Sequence, residues 1–315
     1  MDVYTSGWGI IIGEFEREEL SVRLGREMTW KLIQFIQSLL KNIPYKMAMM
    51  VGSFLGSVFW ALSKKRVDGA EYRCVKALGI GVSTARQIVR ASYVNLGRSV
   101  TEFICLPDMI SNLNELVTIH GEEHLKKAFD LGKGVIAITA HLGNWEMAAA
   151  AVAAKGYPMN AIGAEQRDER ITDLIIDSRQ RWGVTTVSKG FSLKAAMACL
   201  KRGEILAILI DQDAKEKGVV APFLGLPAST PYGPIKMSLK YGSPMIPVYI
   251  IRREDGIHHD LYFLPPFEDP SSEIFGTDLE KAVAICNNSI SSWITKYPGQ
   301  WMWLYPRWAS TLGDK

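Results

Sequence analysis

In the segment Gly134-Val-Ile-Ala-Ile-Thr-Ala-His141-Leu-Gly-Asn-Trp-Glu146, a histidine closes an apolar, β-branched run and a carboxylate follows five residues later. An imidazole with one ring nitrogen held by a carboxylate keeps the other free to take a proton, as a general base does. His141 and Glu146 could not meet on one continuous helix, because residues five apart are about 140° out of phase. They can approach if His141 lies in a loop and Glu146 in the first turn of the helix after it. A blander reading also stands: His141 satisfied by backbone at a strand end, with Glu146 complementing the helix dipole.

The elements needed for the first geometry are written around these residues. Val135 to Ala140 reads as a buried strand of a parallel sheet. Gly143-Asn144 is turn chemistry, and Trp145 to Ala154 is rich in strong helix formers. His141 is therefore expected at the carboxyl edge of a sheet, where open α/β folds bind their ligands. Ile205 to Ile210 is a second fully apolar strand, and it ends in Asp211-Gln212-Asp213. In a parallel sheet both ends emerge on one edge. Asp211 and Asp213 then tie loops together, orient the histidine from a second side, or cap the following turn.

The remaining chain alternates strand and helix. Tyr72 to Leu106 reads as helix with breaks around Gly79-Gly81, Leu116 to His120 as a short edge strand, and Glu122 to Leu131 as helix. Met159 to Gly163 and Thr185 to Val187 read as strands, with helices over Glu169 to Trp182 and Leu193 to Arg202. Pro244 to Ile251 and His259 to Leu264 suggest a strand pair around Asp255-Gly256, and Asp278 to Tyr297 a long helix. The pattern implies an α/β fold: a mixed, mostly parallel central sheet flanked by helices, preceded by an N-terminal helical membrane-associating segment. Residues 1–27 read as an N-terminal extension, 28–66 as that segment and 67–315 as the α/β domain.

Within the segment, Met28 to Leu40 is an amphipathic helical pattern ending before Pro44. Met47 to Leu62 then runs sixteen residues without a charge, and Lys64-Lys65-Arg66 follows. Such a helix is about 24 Å long, short of the ~30 Å hydrocarbon core. Interfacial insertion, with the basic triplet and Trp60 at anionic headgroups, is favoured over a plain core helix or a short span.

Composition sets outer limits. An apolar share of 48% in 315 residues can build a sizeable core, and a net charge of +3 gives no case for nucleic acid. Cys74, Cys105, Cys199 and Cys286 are scattered in apolar or helical contexts, which fits buried free thiols better than disulfides. His120 and His124, or His258 and His259, are not completed by a carboxylate or cysteine cluster, so no metal site is expected.

Taken together, several blocks resemble the bacterial lipid A biosynthesis acyltransferases, the lauroyl and myristoyl transferases of the wider lysophospholipid acyltransferase-like superfamily. The blocks are Ala140-His-Leu-Gly-Asn-Trp-Glu146; Ile210-Asp-Gln-Asp213 with Gly218-Val219 and Pro222 to Thr230; and Gln300-Trp-Met-Trp-Leu-Tyr-Pro-Arg-Trp308. The resemblance spans roughly residues 28 to 308, which suggests Met28 as the native start. It implies transfer of a fatty acyl group from an acyl carrier protein or CoA thioester to a hydroxyl of a lipid A precursor or related glycolipid. It further implies work at the cytoplasmic face of the bacterial inner membrane, without a metal or redox cofactor.

In that chemistry His141 is the base, and Glu146 holds its tautomer and steadies the imidazolium. Backbone N–H groups of Gly143 to Trp145 face the oxyanion. By resemblance Arg179 holds a phosphate of the acceptor or of the carrier's pantetheine arm. Asn144, Asp211 and Asp213 join it as substrate-side candidates. Glu165 to Arg170 departs from the family pattern, which leaves acceptor identity open. Two other readings remain. An α/β-hydrolase-like esterase needs a Gly-x-Ser-x-Gly elbow, and none is present. A lipid-binding scaffold has no need of the His141/Glu146 pair.

Overall fold

The protein is described here from a computed structural model covering residues 25–106, 112–163, 166–188, 192–267 and 278–313. The expected extension thus lies almost wholly outside the described residues. Seven strands, β1 (Val117–His120), β2 (Val135–Thr139), β3 (Met159–Gly163), β4 (Val184–Ser188), β5 (Ile205–Leu209), β8 (Met245–Arg252) and β9 (His259–Phe263), form one sheet in the order β1-β9-β8-β2-β5-β3-β4. Within this sheet only β8 and β9 pair antiparallel, and β1 is an edge strand as its short pattern suggests. A separate hairpin is made by β6 (Val219–Phe223) and β7 (Leu226–Thr230).

Both faces of the central strands are covered, so β2 and β5 read as continuous apolar runs instead of alternating ones. Ile136, Ile138, Leu206 and Ile208 enter one core with the carboxy-terminal tryptophans. Val135, Ala137, Ile205 and Ala207 enter the other, under the helix Trp145–Ala154. All four cysteines are buried, none of them in a disulfide. Burial pushes the thiols of Cys74, Cys199 and Cys286 up to about 12. The thiolate is the reactive form. At about pH 8 iodoacetamide is therefore expected to leave these three unmodified in the native protein and to label all four in denaturant. Native alkylation of any of the three at a free-thiol rate would contradict the packing.

The amino-terminal helices, in chain order, are α1 (25–41), α2 (Tyr45–Leu62), α3 (Lys64–Leu78) and α4 (Val82–Cys105). The α2 helix is long and apolar enough to cross a membrane, by length and composition only. It packs on α4 where glycines let the backbones touch: a Cβ on Gly97 would strike the Gly52 carbonyl, and one on Gly56 the Tyr93 carbonyl. The other side of α2 leaves Met47, Met50, Phe54 and Leu62 at 53–80% exposure, and α1 adds Met28, Leu32 and Phe35 at 58–72%. A water-facing stripe of that kind is not a core helix; it is an uncovered apolar face.

Candidate active site

Strand register decides the partner of His141. β2 and β5 are parallel neighbours with Thr139 opposite Leu209, so His141 and Asp211, each two residues further on, leave the sheet side by side. Adjacent strands run about 4.8 Å apart, within reach of a short side chain. His141 Nδ1 accordingly lies 2.8 Å from Asp211 Oδ1, and the His141 backbone N–H donates to Asp211 Oδ2 at 2.8 Å. The indole N–H of Trp301 donates to the same Oδ2 at 2.8 Å. Burial alone would push the Asp211 carboxyl up, but the His141 ring, the His141 backbone N–H and the Trp301 indole outweigh it and hold the group below the usual carboxylate range. An ionised Asp211 keeps the proton on Nδ1 and leaves Nε2 as the basic atom. That atom has only the Gln212 side-chain nitrogen, 3.5 Å away, among the described residues.

Glu146 does not fill the role expected of it, for both its oxygens are taken. Arg179, on the helix Glu169–Arg181, donates from Nε at 2.9 Å and from Nη2 at 2.6 Å, a two-pronged ion pair. No hydrogen bond joins His141 to Glu146 among the described residues. The reason is geometric: Glu146 sits in the first turn of the helix, across from Arg179, whereas Asp211 occupies the adjacent strand end. Arg179 reaches the site with its Nη1 buried and, among the described residues, without a partner, beside Gly163 at the carboxyl end of β3.

The remaining candidates separate into cap and brace. Asn144 is the cap of Trp145–Ala154, its Oδ1 accepting from the Met147 N–H at 3.1 Å and its Nδ2 donating to Glu102 at 2.6 Å. At 1% exposure it is buried in the turn with both ends of its amide engaged. Asp213 accepts from the Ser310 N–H (2.8 Å), the Ser310 hydroxyl (2.6 Å) and the Lys215 N–H (2.9 Å), so it pins the carboxy-terminal segment. The Gly143 N–H is spent on the Gln300 carbonyl at 3.1 Å. Of the proposed oxyanion donors, the cap Asn144 and the first helical residue Trp145 have N–H groups that by position lack an intrahelical partner.

Trp301 has a place in the site that composition conceals. Read as core it is core, at 1% exposure and edge-on to Trp303 at 4.6 Å. Its strand-like segment also bridges Leu142 antiparallel, and the Met302 N–H donates to the His141 carbonyl at 3.1 Å. A buried indole needs an acceptor for its N–H, and that need is the one signal that could have pointed from Trp301 to Asp211. Arg307, fully buried, braces the other side by donating to the carbonyls of Gln212 and Ser229. Desolvation lowers its guanidinium to about 10.

A strand-end histidine paired with an aspartate from the neighbouring strand does not name a family by itself; the sequence around it does. Residues 16–310 match the family of bacterial lipid A biosynthesis acyltransferases. The chain belongs to that family. The match opens ahead of Met28, where the motifs alone had placed its start. Among relatives, the phosphatidylinositol mannoside acyltransferase of Mycolicibacterium smegmatis is 26% identical over 72% of this chain and 74% of its own. The lipid A biosynthesis palmitoleoyltransferase of Escherichia coli is 23% identical over 93% and 94%. The lauroyltransferase of the same organism is 23% identical over 90% of each. A solved structure, the 1-acyl-sn-glycerophosphate acyltransferase of Thermotoga maritima, overlays with a TM-score of 0.39 at 14% identity, covering 82% of this chain and 99% of that one. The protein is thus an acyltransferase by family, with relatives acting on chemically different acceptors.

Proposed function

We propose that the protein moves a fatty acyl group from a carrier thioester, on acyl carrier protein or CoA, to a hydroxyl of a glycolipid held at a membrane surface. The acceptor O–H gives its proton to His141 Nε2 as its oxygen attacks the thioester carbonyl. The C–S bond then breaks, and the departing thiolate takes the proton from the imidazolium. Asp211 keeps the tautomer and offsets the imidazolium charge, the role first assigned to Glu146. Glu146 holds Arg179 in place, and the unpartnered Nη1 is the atom that suits a phosphate or the thioester oxygen.

The observation that carries this reading is what lies next to His141. The Trp145 ring meets the imidazole edge-on at 4.8 Å. The same ring joins Thr139, Ala148, Ala149, Val152, Met159 and Ala207 in lining an apolar gap between helix and sheet. At about 30 Å³ that gap is too small to hold an acyl chain, but an apolar wall beside the base suits an acyl thioester better than a polar substrate. The bare faces of α1 and α2 complete the picture: they would sit in the interfacial region of the inner membrane, from the cytoplasmic side, with Lys64, Lys65 and Arg66 at anionic headgroups.

The full chain in detergent, given acyl carrier protein and CoA thioesters of several lengths with a panel of lipid acceptors, tests the proposal. Acceptor-dependent loss of thioester, with a matching ester mass gain on one acceptor, is expected. Thioester loss that ignores every acceptor would replace the transferase with a thioesterase. Lipid binding without thioester loss would leave the scaffold reading.

A further inference from the structure

Behind the catalytic turn lies a second polar cluster, centred on Glu102 near the end of α4 at 1% exposure. Its carboxylate accepts from Asn144 Nδ2 at 2.6 Å, Arg252 Nη2 at 2.7 Å, His259 Nε2 at 2.9 Å and the Tyr45 hydroxyl at 3.0 Å, and from Arg252 Nη1. Burial pushes this carboxyl up, yet His259 and Arg252 outweigh it and hold the group far below the usual carboxylate range. Arg252 also reaches Asn95 Oδ1 at 3.0 Å and Ser99 Oγ at 3.3 Å. Those two side chains donate to the Gly143 carbonyl at 3.1 and 3.2 Å.

The contacts converge on two adjacent residues, Gly143 and Asn144, between His141 and Glu146. Asn144 has no freedom left: its Oδ1 is committed to the Met147 N–H, so its amide nitrogen must face Glu102. A buried ion pair meant only to hold the core together would not need to grip the turn through an amide whose two ends are both specified.

We propose that Glu102 is a positioning residue for acyl transfer, fixing through Asn144 where the helix after the turn begins and so where His141 presents Nε2. The activity part of this rests on the acyltransferase reading; the positioning part does not. Asn144→Asp keeps the helix-capping acceptor but sets a second carboxylate against Glu102 in place of the N–H donor. The double variant Glu102→Gln/Asn144→Asp restores a donor–acceptor pair at residue 144 with its polarity reversed, while the Gln NH₂ now faces Arg252 Nη2, from which Glu102 accepts in the parent. The full chain in detergent is followed by steady-state kinetics and by amide hydrogen exchange over residues 141–147.

For Asn144→Asp, kcat is expected to fall about 100-fold, the scale of a 1 Å misplacement, with KM changed less than about threefold. Exchange should quicken in the turn. The double variant is expected to slow exchange in the turn again and to recover part of the lost kcat, the remainder reflecting the acceptor that Arg252 Nη2 loses. A fall in Tm without loss of kcat, or a double variant no better than Asn144→Asp in both readouts, would overturn the assignment. If the parent transfers no acyl group to any acceptor while exchange follows the expected pattern, the proposed reaction fails and the positioning stands.

Discussion

Asp211→Asn is expected to lower kcat for acyl transfer by about 10³ to 10⁴, the scale seen when the carboxylate of a histidine–aspartate pair is neutralised. Asp211 is an acceptor for three donors: the His141 ring, the His141 backbone N–H and the Trp301 indole. An asparagine has one oxygen and one NH₂ in that place, so one donor must give way. The two that cannot change are the backbone and indole N–H groups. The ring can, by moving its proton to Nε2 and accepting on Nδ1, and a ring in that tautomer is no base toward the acceptor. Histidine ¹⁵N shifts read the difference directly: Nε2 protonated in Asp211→Asn, Nδ1 protonated in the parent and in Glu146→Gln. Should Glu146→Gln move the proton while Asp211→Asn leaves it, the pairing described here is wrong. The depressed Asp211 carboxyl also fixes the sign of its pH linkage. Its contribution to stability is complete above the unfolded carboxylate value and is lost only as pH falls through the lower folded value.

What could be read from the chain follows how local each signal is. β2 and β5 announce themselves because a strand buried on both faces is a plain apolar run, and the emergence of His141 and Asp211 on one edge follows from parallel pairing. Which carboxylate the histidine takes does not, since it depends on β2 and β5 being neighbours in register across seventy residues of chain. The His-x4-Glu spacing favoured Glu146, and only the position of Arg179 on another helix shows that residue already engaged. The β6–β7 hairpin escaped notice for a different reason. Pro222 and Pro227 argue against a strand, and its two-residue turn is Leu224-Gly225, with φ of 49° and 76°, where Asn-Gly is the usual sign. The helix Gly233–Tyr241 was likewise hidden by an opening Gly-Pro that reads as turn, although proline suits a first helical turn.

Two glycines flank the helix Trp145–Ala154, and alanine at each is expected to give sharply different results. Gly143 and Gly156 both have positive φ, 64° and 88°. At Gly156 a Cβ meets nothing within 4 Å, so Gly156→Ala carries only the left-handed backbone cost of about 1–2 kcal/mol. At about 2–4 °C per kcal/mol for a domain of this size, Tm should fall by a few degrees with kcat unchanged. At Gly143 the same Cβ would collide with the carbonyl of Ile250, whose carbon lies 2.8 Å from it. Ile250 is in β8, a strand buried along its whole length and bonded to β2 and β9, so it has nowhere to retreat. The turn must yield instead, taking with it the Gly143 carbonyl, the Asn144 cap and the His141 ring. A shift near 1 Å there costs about 100-fold in rate. Gly143→Ala is therefore expected to lose at least that much kcat in whatever fraction folds, and more Tm than Gly156→Ala. Thermal melts and turnover of the two purified variants measure both quantities. Equal melts and equal rates would mean that the turn does not lie against β8, and the positioning of His141 by close backbone contact would fall with it.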